Sequence, residues 1–189
     1  LIVGSAGGVG PILIQLARQR TGLSVVATAS RPESQAWVRE LGAHAVIDHS
    51  QPLAPQLAGL SLPPVDYAIS LTHTDQHFAQ LAEVLAPQGR LALIDDPEPI
   101  DVRLLKRKSI SLHWELMFTR SLFQTEDMIA QHHLLDALAD LVDQGSVRST
   151  VQTRLGPICA ANLKQAHALL ESGRSVGKIV LEGFPAAPA

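Results

Sequence analysis

Short apolar segments alternate along most of this chain with longer segments in which apolar residues recur at helical spacing. The short segments are nearly continuous in apolar residues, which is typical of strands buried on both faces of a parallel sheet. They predict six strands, at residues 1–3, 24–29, 45–48, 65–71, 89–94 and 110–116. The longer segments predict helices at residues 11–20, 32–41, 75–86 and 124–144. The third helix is expected to have its cap near Thr74 or Asp75.

Strands that alternate with helices at this spacing predict an α/β fold of the Rossmann type, with a doubly wound, parallel, six-stranded sheet. Right-handed crossovers favour the strand order 3-2-1-4-5-6, which places a ligand crevice at the carboxyl ends of strands 1 and 4. This unit is expected to span residues 1–150. A strand at 151–155, a helix at 160–171 and a strand at 178–182 predict a C-terminal strand-helix-strand extension over 151–184. The tail at 185–189 is predicted to be disordered.

The turn after the first strand, Gly4-Ser5-Ala6-Gly7-Gly8-Val9-Gly10, carries the clearest functional signal. Glycines in such a turn let backbone amides approach phosphate oxygens and let the next helix pack closely on the strand. The start of that helix directs its N–H groups and its positive dipole end at an anion. The turn therefore predicts a dinucleotide pyrophosphate site made by Ala6, Gly7, Gly8, Val9 and Gly10. A tight strand-to-helix turn without a ligand is the alternative.

The end of the second strand indicates which dinucleotide is bound. NAD sites usually carry an acid about 20 residues after the glycines, whereas this chain has Ser30-Arg31-Pro32-Glu33-Ser34. Arg31 can pair with a 2′-phosphate in bidentate fashion, and Ser30 and Ser34 add neutral hydrogen bonds. These residues favour NADP(H) over NAD(H). Two alternatives stay open, because Glu33 could reach the ribose hydroxyl instead and Arg31 could be a solvated loop residue.

With these residues the chain closely resembles the cofactor-binding half of the medium-chain dehydrogenase/reductase superfamily. The nearest branch is the zinc-type alcohol dehydrogenase-like proteins, which are relatives of quinone oxidoreductase. The resemblance extends over essentially the whole chain and is carried by residues 4–10, 29–34, 70–78, 93–97, 114–125 and 177–182. It implies an NADPH-dependent oxidoreductase that passes a hydride from the nicotinamide to a carbonyl, enone or quinone.

The resemblance also implies further cofactor contacts. In that superfamily the nicotinamide lies over the ends of strands 4 to 6, which implies roles for Leu71, Thr72, Asp95 and Phe118. Asp95 could instead belong to a turn that simply ends the fifth strand. Quinone oxidoreductases carry an aromatic residue after strand 3 that helps to cover the adenosine phosphate. This chain has His49 there, which departs from the pattern.

The resemblance implies partners for this chain as well. A separate catalytic domain is expected to precede Leu1, and residues 151–184 are expected to pack on it. Catalytic residues and any zinc ligands are expected in that domain, so this chain is assigned no catalytic residue and no metal ligand, and zinc binding cannot be judged from it. The apolar edge strand at 110–116 is expected to pair across a two-fold axis and form a homodimer.

The amino-acid composition bears on disulfides, on partners and on membrane insertion. The single cysteine, Cys159, excludes an internal disulfide and fits a cytoplasmic protein. A formal net charge of -3 gives no electrostatic reason to expect nucleic acid or an acidic membrane as a partner. The sequence has no run of about 18 apolar residues, so it predicts no membrane-spanning helix.

Other proteins with a glycine turn fit these residues less well. A short-chain dehydrogenase needs a tyrosine followed four residues later by lysine, whereas the one tyrosine, Tyr67, is followed there by Leu71. A methyltransferase is expected to carry an acid at the end of strand 2, where this chain has Ser30 and Arg31. A non-catalytic dinucleotide-binding or sensor module remains the alternative function.

Overall fold

Six parallel strands form the main sheet of the structure, a computed structural model that describes residues 1–185. The strands are β1 (Ile2–Val3), β2 (Val26–Thr28), β3 (Ala45–Ile47), β4 (Val65–Ser70), β5 (Leu85–Leu93) and β6 (Ser111–Trp114). Their order across the sheet is β3-β2-β1-β4-β5-β6, which confirms the predicted fold and topology. Of the tail predicted to be disordered, residues 186–189 lie outside the described residues.

Helices cover both faces of this sheet because successive side chains of each strand point to opposite faces. Ile2 of β1 packs in one apolar cluster and Val3 in the other. Helices α1 (Gly10–Arg20) and α2 (Pro32–Glu40) bury apolar residues in the first cluster. The second cluster is covered by α3 (Leu53–Ala58), α4 (Thr74–Val84) and a 3-10 helix (Val102–Lys108). Two further helices follow β6, namely α5 (Thr119–Phe123) and α6 (Ala130–Asp143).

The C-terminal extension has the predicted strand-helix-strand order, and its two strands form a second, parallel sheet. It consists of β7 (Val151–Arg154), α7 (Ala160–Glu171) and β8 (Lys178–Val180). Gln15 of α1 fixes the start of this extension, since its side-chain amide donates to the Arg148 carbonyl at 3.2 Å and its oxygen accepts from the Arg148 N–H at 2.8 Å. The extension is thereby tied to the helix that follows the glycine turn.

Helix α4 differs from its predicted form at both ends. Its N-cap is His73, which has a left-handed backbone (φ 51°) and makes no side-chain cap. The Thr74 N–H is bound instead by the Asp95 carboxylate at 3.0 Å, a partner 21 residues away. The helix stops at Val84 and β5 starts at once at Leu85. Pro87 explains the early end, because a proline disfavours helical geometry at the residue before it.

The long helix predicted at 124–144 is shorter than expected, since α6 begins only at Ala130. Helix α5 ends at Phe123, and its C-cap residue Gln124 has a left-handed backbone (φ 48°). The Thr125 hydroxyl then donates to the Asp127 carboxylate at 2.7 Å, and Arg120 pairs with the same carboxylate at 3.0 Å. These local polar contacts favour a turn over continued helix.

Candidate functional site

A cavity of about 900 Å³ lies at the carboxyl ends of β1, β2 and β4. Its walls come from the glycine turn, the segment after β2, the segment after β4 and the end of the C-terminal extension. The size matches the upper range of small-molecule and cofactor sites. A second cavity of about 240 Å³ at the opposite ends of β1 and β4 is much smaller and includes no part of the glycine turn. The larger cavity therefore coincides with the crevice predicted from strand order.

Two hydroxyl groups hold the glycine turn in shape. The buried Ser5 hydroxyl donates to the Ile2 carbonyl at 2.6 Å and accepts from the Thr28 N–H at 2.9 Å. The Thr28 hydroxyl in turn accepts from the Gly4 N–H at 3.2 Å. The turn is thus fixed to β2, and its residues 4–9 line the cavity.

Three glycines of the turn have different structural roles. Gly4 adopts φ +77°, a backbone conformation that favours glycine. Gly10 is buried behind the turn, where an added Cβ would lie 2.5 Å from Ser5 Cα. Gly7 has open space around it, since an added Cβ would meet only the Gly4 oxygen at 4.0 Å. Gly7 lines the cavity and Gly10 does not. The absence of a side chain at Gly7 therefore leaves room for a ligand, whereas at Gly10 it allows α1 to pack against Ser5.

Arg31 lies at the end of β2, where its side chain is held by two contacts. One terminal nitrogen donates to the Ser34 hydroxyl at 3.3 Å and to the Arg174 carbonyl at 2.9 Å. Ser30, Arg31 and Ser34 all line the cavity, whereas Glu33 is exposed on the first turn of α2 and does not. The guanidinium is therefore fixed at the cavity wall, and the nearby acid points elsewhere.

The end of the C-terminal extension closes over the glycine turn. The Gly177 N–H donates to the Ala6 carbonyl at 2.9 Å. A Cβ added at Gly8 would lie 2.6 Å from Lys178 Nζ, so this ammonium group occupies the space beside the turn. Sequence reasoning missed Arg174, Gly177 and Lys178 as site residues. The sequence around these three residues contains no motif that predicts a contact with Ala6 or Arg31, which lie far away along the chain.

Three histidines line the cavity, and two of them contact each other. His49 follows β3 and His77 lies on α4, and their rings meet edge to face with centroids 5.8 Å apart. Burial lowers the pKa of both imidazoles below the usual value. The resemblance implies His49 as a cofactor contact from its position after strand 3, whereas His77 is not among the predicted contacts.

Two of the four predicted nicotinamide contacts line the cavity, and the other two do not. Leu71 and Thr72 line the cavity, and the Thr72 hydroxyl lies 2.8 Å from His73 Nδ1. Asp95 lies outside the cavity lining, where its carboxylate binds the Thr74 N–H and hydroxyl. Phe118 is 53% exposed at the start of α5 and is also absent from the cavity wall.

Ten of the thirteen predicted cofactor contacts share this one cavity. They are Ala6, Gly7, Gly8, Val9, Ser30, Arg31, Ser34, His49, Leu71 and Thr72. Gly10, Asp95 and Phe118 do not line it.

The described residues do not form a zinc site. Within residues 1–185, no group of three or more His, Cys, Asp or Glu side chains is placed to hold a metal ion. His49 and His77 lack a third ligand of this kind. No helix in the same range is long and apolar enough to cross a membrane.

Comparisons with known proteins agree on one family. A family described as zinc-binding dehydrogenase matches residues 41–181. A zinc-type alcohol dehydrogenase-like protein of Staphylococcus aureus is 36% identical over 96% of this chain and 54% of its own length. The chain thus spans about half the length of the curated relatives it matches.

Solved structures are also similar to nearly the whole of this chain and to about half of their own length. A protein from Rhizobium etli CFN 42, provisionally described as a zinc-dependent alcohol dehydrogenase, superposes with a TM-score of 0.93 at 59% identity, covering 97% of this chain and 54% of that one. A mycobacterial protein complexed with NADPH superposes with a TM-score of 0.78 at 28% identity, covering 97% and 55%.

Proposed function

This chain belongs to the zinc-binding dehydrogenase family, and we propose that it is the NADP(H)-binding part of an oxidoreductase that reduces a carbonyl, enone or quinone. One observation carries the choice of cofactor. Among residues 1–185 the cavity is lined by Arg31, Lys178 and three histidines, and by no Asp or Glu. Such a wall favours a ligand with several phosphates, and NADPH carries a 2′-phosphate in addition to its pyrophosphate. When bound, the nicotinamide supplies the hydride for the reduction.

The pyrophosphate is proposed to lie on the glycine turn. Ala6, Gly7, Gly8 and Val9 offer backbone amides at the start of α1, where the helix dipole favours an anion. Gly10 supports this arrangement from behind by allowing α1 to pack against Ser5. The Lys178 ammonium group beside Gly8 adds a positive charge to the same place.

The 2′-phosphate is proposed to lie between Arg31, Ser30 and Ser34. A guanidinium presents several N–H donors in a planar fork, and only part of that capacity is used by Ser34 and the Arg174 carbonyl. His49 borders the same part of the cavity. At the other end, Leu71 and Thr72 are proposed to contact the nicotinamide half. Asp95 is proposed to act indirectly, by holding the first turn of α4 through Thr74.

The test is a fluorescence titration of the chain with NADPH and with NADH. We expect NADPH to bind more tightly, because NADH lacks the phosphate that Arg31 would hold. Equal affinity for the two cofactors would contradict the NADP(H) assignment. Absence of binding by both would contradict a dinucleotide site altogether.

Lys178→Ala is expected to weaken both cofactors alike, by about 1 kcal/mol or roughly fivefold, because both carry the pyrophosphate. Lys164→Ala is the matched control, since Lys164 is an exposed lysine on α7 that does not line the cavity. Unchanged dissociation constants in Lys178→Ala would remove this residue from the proposed site. A loss of affinity for NADPH alone would indicate that Lys178 contacts the 2′-phosphate rather than the pyrophosphate.

The substrate and the remaining partners are proposed from the family. The curated relatives are about twice as long as this chain, and the N-terminal part of such a protein is proposed to be the catalytic domain on which residues 151–184 pack. The unpaired thiol of Cys159 is compatible with the cytoplasm as the proposed location.

A homodimer through β6 is also proposed. In the described part of the chain, β6 pairs with β5 alone, and Trp114 at its end is 59% exposed. An open apolar edge favours pairing with a second copy. We expect light scattering at tens of micromolar to give the mass of a dimer and Trp114→Glu to shift it toward the monomer. A strictly monomeric wild-type chain would count against this interface.

A further inference from the structure

Two of the three cavity-lining imidazoles, those of His49 and His77, come from different elements and contact each other. His49 follows β3, His77 lies on α4, and their ring planes meet at 76°. The buried Nδ1 atoms of both rings have no hydrogen-bond partner within residues 1–185. Buried polar atoms are nearly always paired in native proteins, so two neighbouring exceptions in one cavity require an explanation. Both rings line the cavity, so a rotation of each ring would present this nitrogen to a ligand there.

The surroundings of His49 include groups that lower the pKa of its imidazole and groups that raise it. Burial is the main cause of its lowered pKa; the charges of His73 and Arg31 act in the same direction. Asp48 and the Thr28 backbone oppose it. The influence of Arg31 shows that the imidazole shares its surroundings with the guanidinium proposed to hold the 2′-phosphate.

His77 has a similar environment. Burial lowers its pKa first, and His49 and His73 add to that effect. Asp75 alone acts in the opposite direction, and it stands on the exposed first turn of α4. Burial is thus the largest cause that disfavours the protonated form of both rings. A phosphate dianion would reverse that balance, because an opposite charge favours the protonated form.

We propose that His49 and His77 form, together with Arg31, a proton-linked recognition site for the 2′-phosphate of the cofactor. This inference rests on the proposed function, since it presupposes that NADP(H) enters the cavity. Binding of the phosphate is accompanied by uptake of a proton on the imidazole pair. The preference for NADPH over NADH consequently rises as the pH falls.

The direction of this pH dependence follows from the linkage between proton binding and cofactor binding. An imidazole whose pKa is low in the empty protein and higher in the complex binds more protons in the complex. Affinity then increases as the pH falls between the two pKa values and is constant above the higher one. A single linked proton changes affinity by up to tenfold per pH unit.

The experiment measures dissociation constants of NADPH and NADH at pH 6, 7 and 8 for the wild type and for His49→Gln, His77→Gln and the double variant. We expect the ratio of the NADH to the NADPH dissociation constant to rise by about three- to tenfold from pH 8 to pH 6 in the wild type. The double variant should lose most of this rise. His167→Gln is the matched control, because His167 is exposed on α7 and does not line the cavity. The phosphate also titrates, with a pKa of about 6, but equally in every variant.

Calorimetry in buffers of different ionisation enthalpy gives the number of protons taken up by the wild type. We expect a positive number for NADPH near pH 7 and a smaller one for NADH. This measurement decides the proposal even if the double variant fails to fold.

Each other outcome has a distinct meaning. A chain that binds neither cofactor contradicts the proposed function. A chain that prefers NADPH equally at every pH, or a double variant that keeps the full pH dependence, overturns the imidazole pair alone. An equal pH dependence for NADH and NADPH also overturns it, because the imidazoles would then face a part common to both.

Discussion

Gly10→Ala is expected to lower the free energy of unfolding by about 3 kcal/mol or more, which is a large share of the stability of a typical domain. The new Cβ would lie 2.5 Å from Ser5 Cα and closer still to the carbonyl carbon and oxygen of that residue. These are backbone atoms, so no side-chain rotation can relieve the overlap. Ser5 itself is fixed by its hydrogen bonds to Ile2 and Thr28. Urea unfolding followed by circular dichroism measures the loss.

Gly7→Ala is the matched control for this prediction. Its Cβ would meet only the Gly4 oxygen at 4.0 Å, and Gly7 does not need a positive φ. We expect it to fold with a stability within about 1 kcal/mol of the wild type but to bind the dinucleotide weakly, since the methyl group projects where the phosphate is proposed to lie. Similar unfolding curves for the two variants would show that the Ser5 contact does not limit the turn.

Arg31→Ala is expected to weaken NADPH binding by about 1.5–3 kcal/mol, or roughly 10- to 150-fold, while leaving NADH within about twofold. The guanidinium is already positioned by Ser34 and the Arg174 carbonyl, so little side-chain entropy is lost when the phosphate arrives. Fluorescence titration with both cofactors measures the change.

Two further variants sharpen this prediction. Arg31→Lys keeps the charge but loses the planar fork, and an intermediate affinity for NADPH is expected. Arg20→Ala removes an exposed arginine at the end of α1 and should change neither constant. The assignment fails if Arg31→Ala keeps the wild-type preference for NADPH.

Local sequence patterns were sufficient to predict the sheet, its strand order and the part of the cavity wall that the glycine turn and the segment after β2 make. The glycine turn and Arg31 could be identified because each lies directly after a strand that recurs in a fixed topology. Helix boundaries were harder to predict. The stop before Leu85 depends on Pro87, and the late start of α6 depends on hydrogen bonds of Asp127 that propensity does not register.

Contacts between distant segments could not be predicted from sequence. Arg174 and Lys178 reach the site because Gln15 and Arg148 fix the extension to α1, and no short motif encodes that pairing. His77 was not predicted as a cofactor contact, because its contact with His49 joins two segments that are distant in sequence. The Asp95 carboxylate binds the first turn of α4, a role that only the folded chain reveals.

The hydrogen bond from Arg31 to the Arg174 carbonyl joins residues 143 positions apart. During translation at roughly 5–20 residues per second, Arg31 leaves the ribosome on the order of ten seconds before its partner does. Throughout that interval the nascent chain can form the strands nearest its start but lacks the carbonyl that orients the guanidinium. A ribosome stalled before residue 174 would therefore display an incomplete cofactor site.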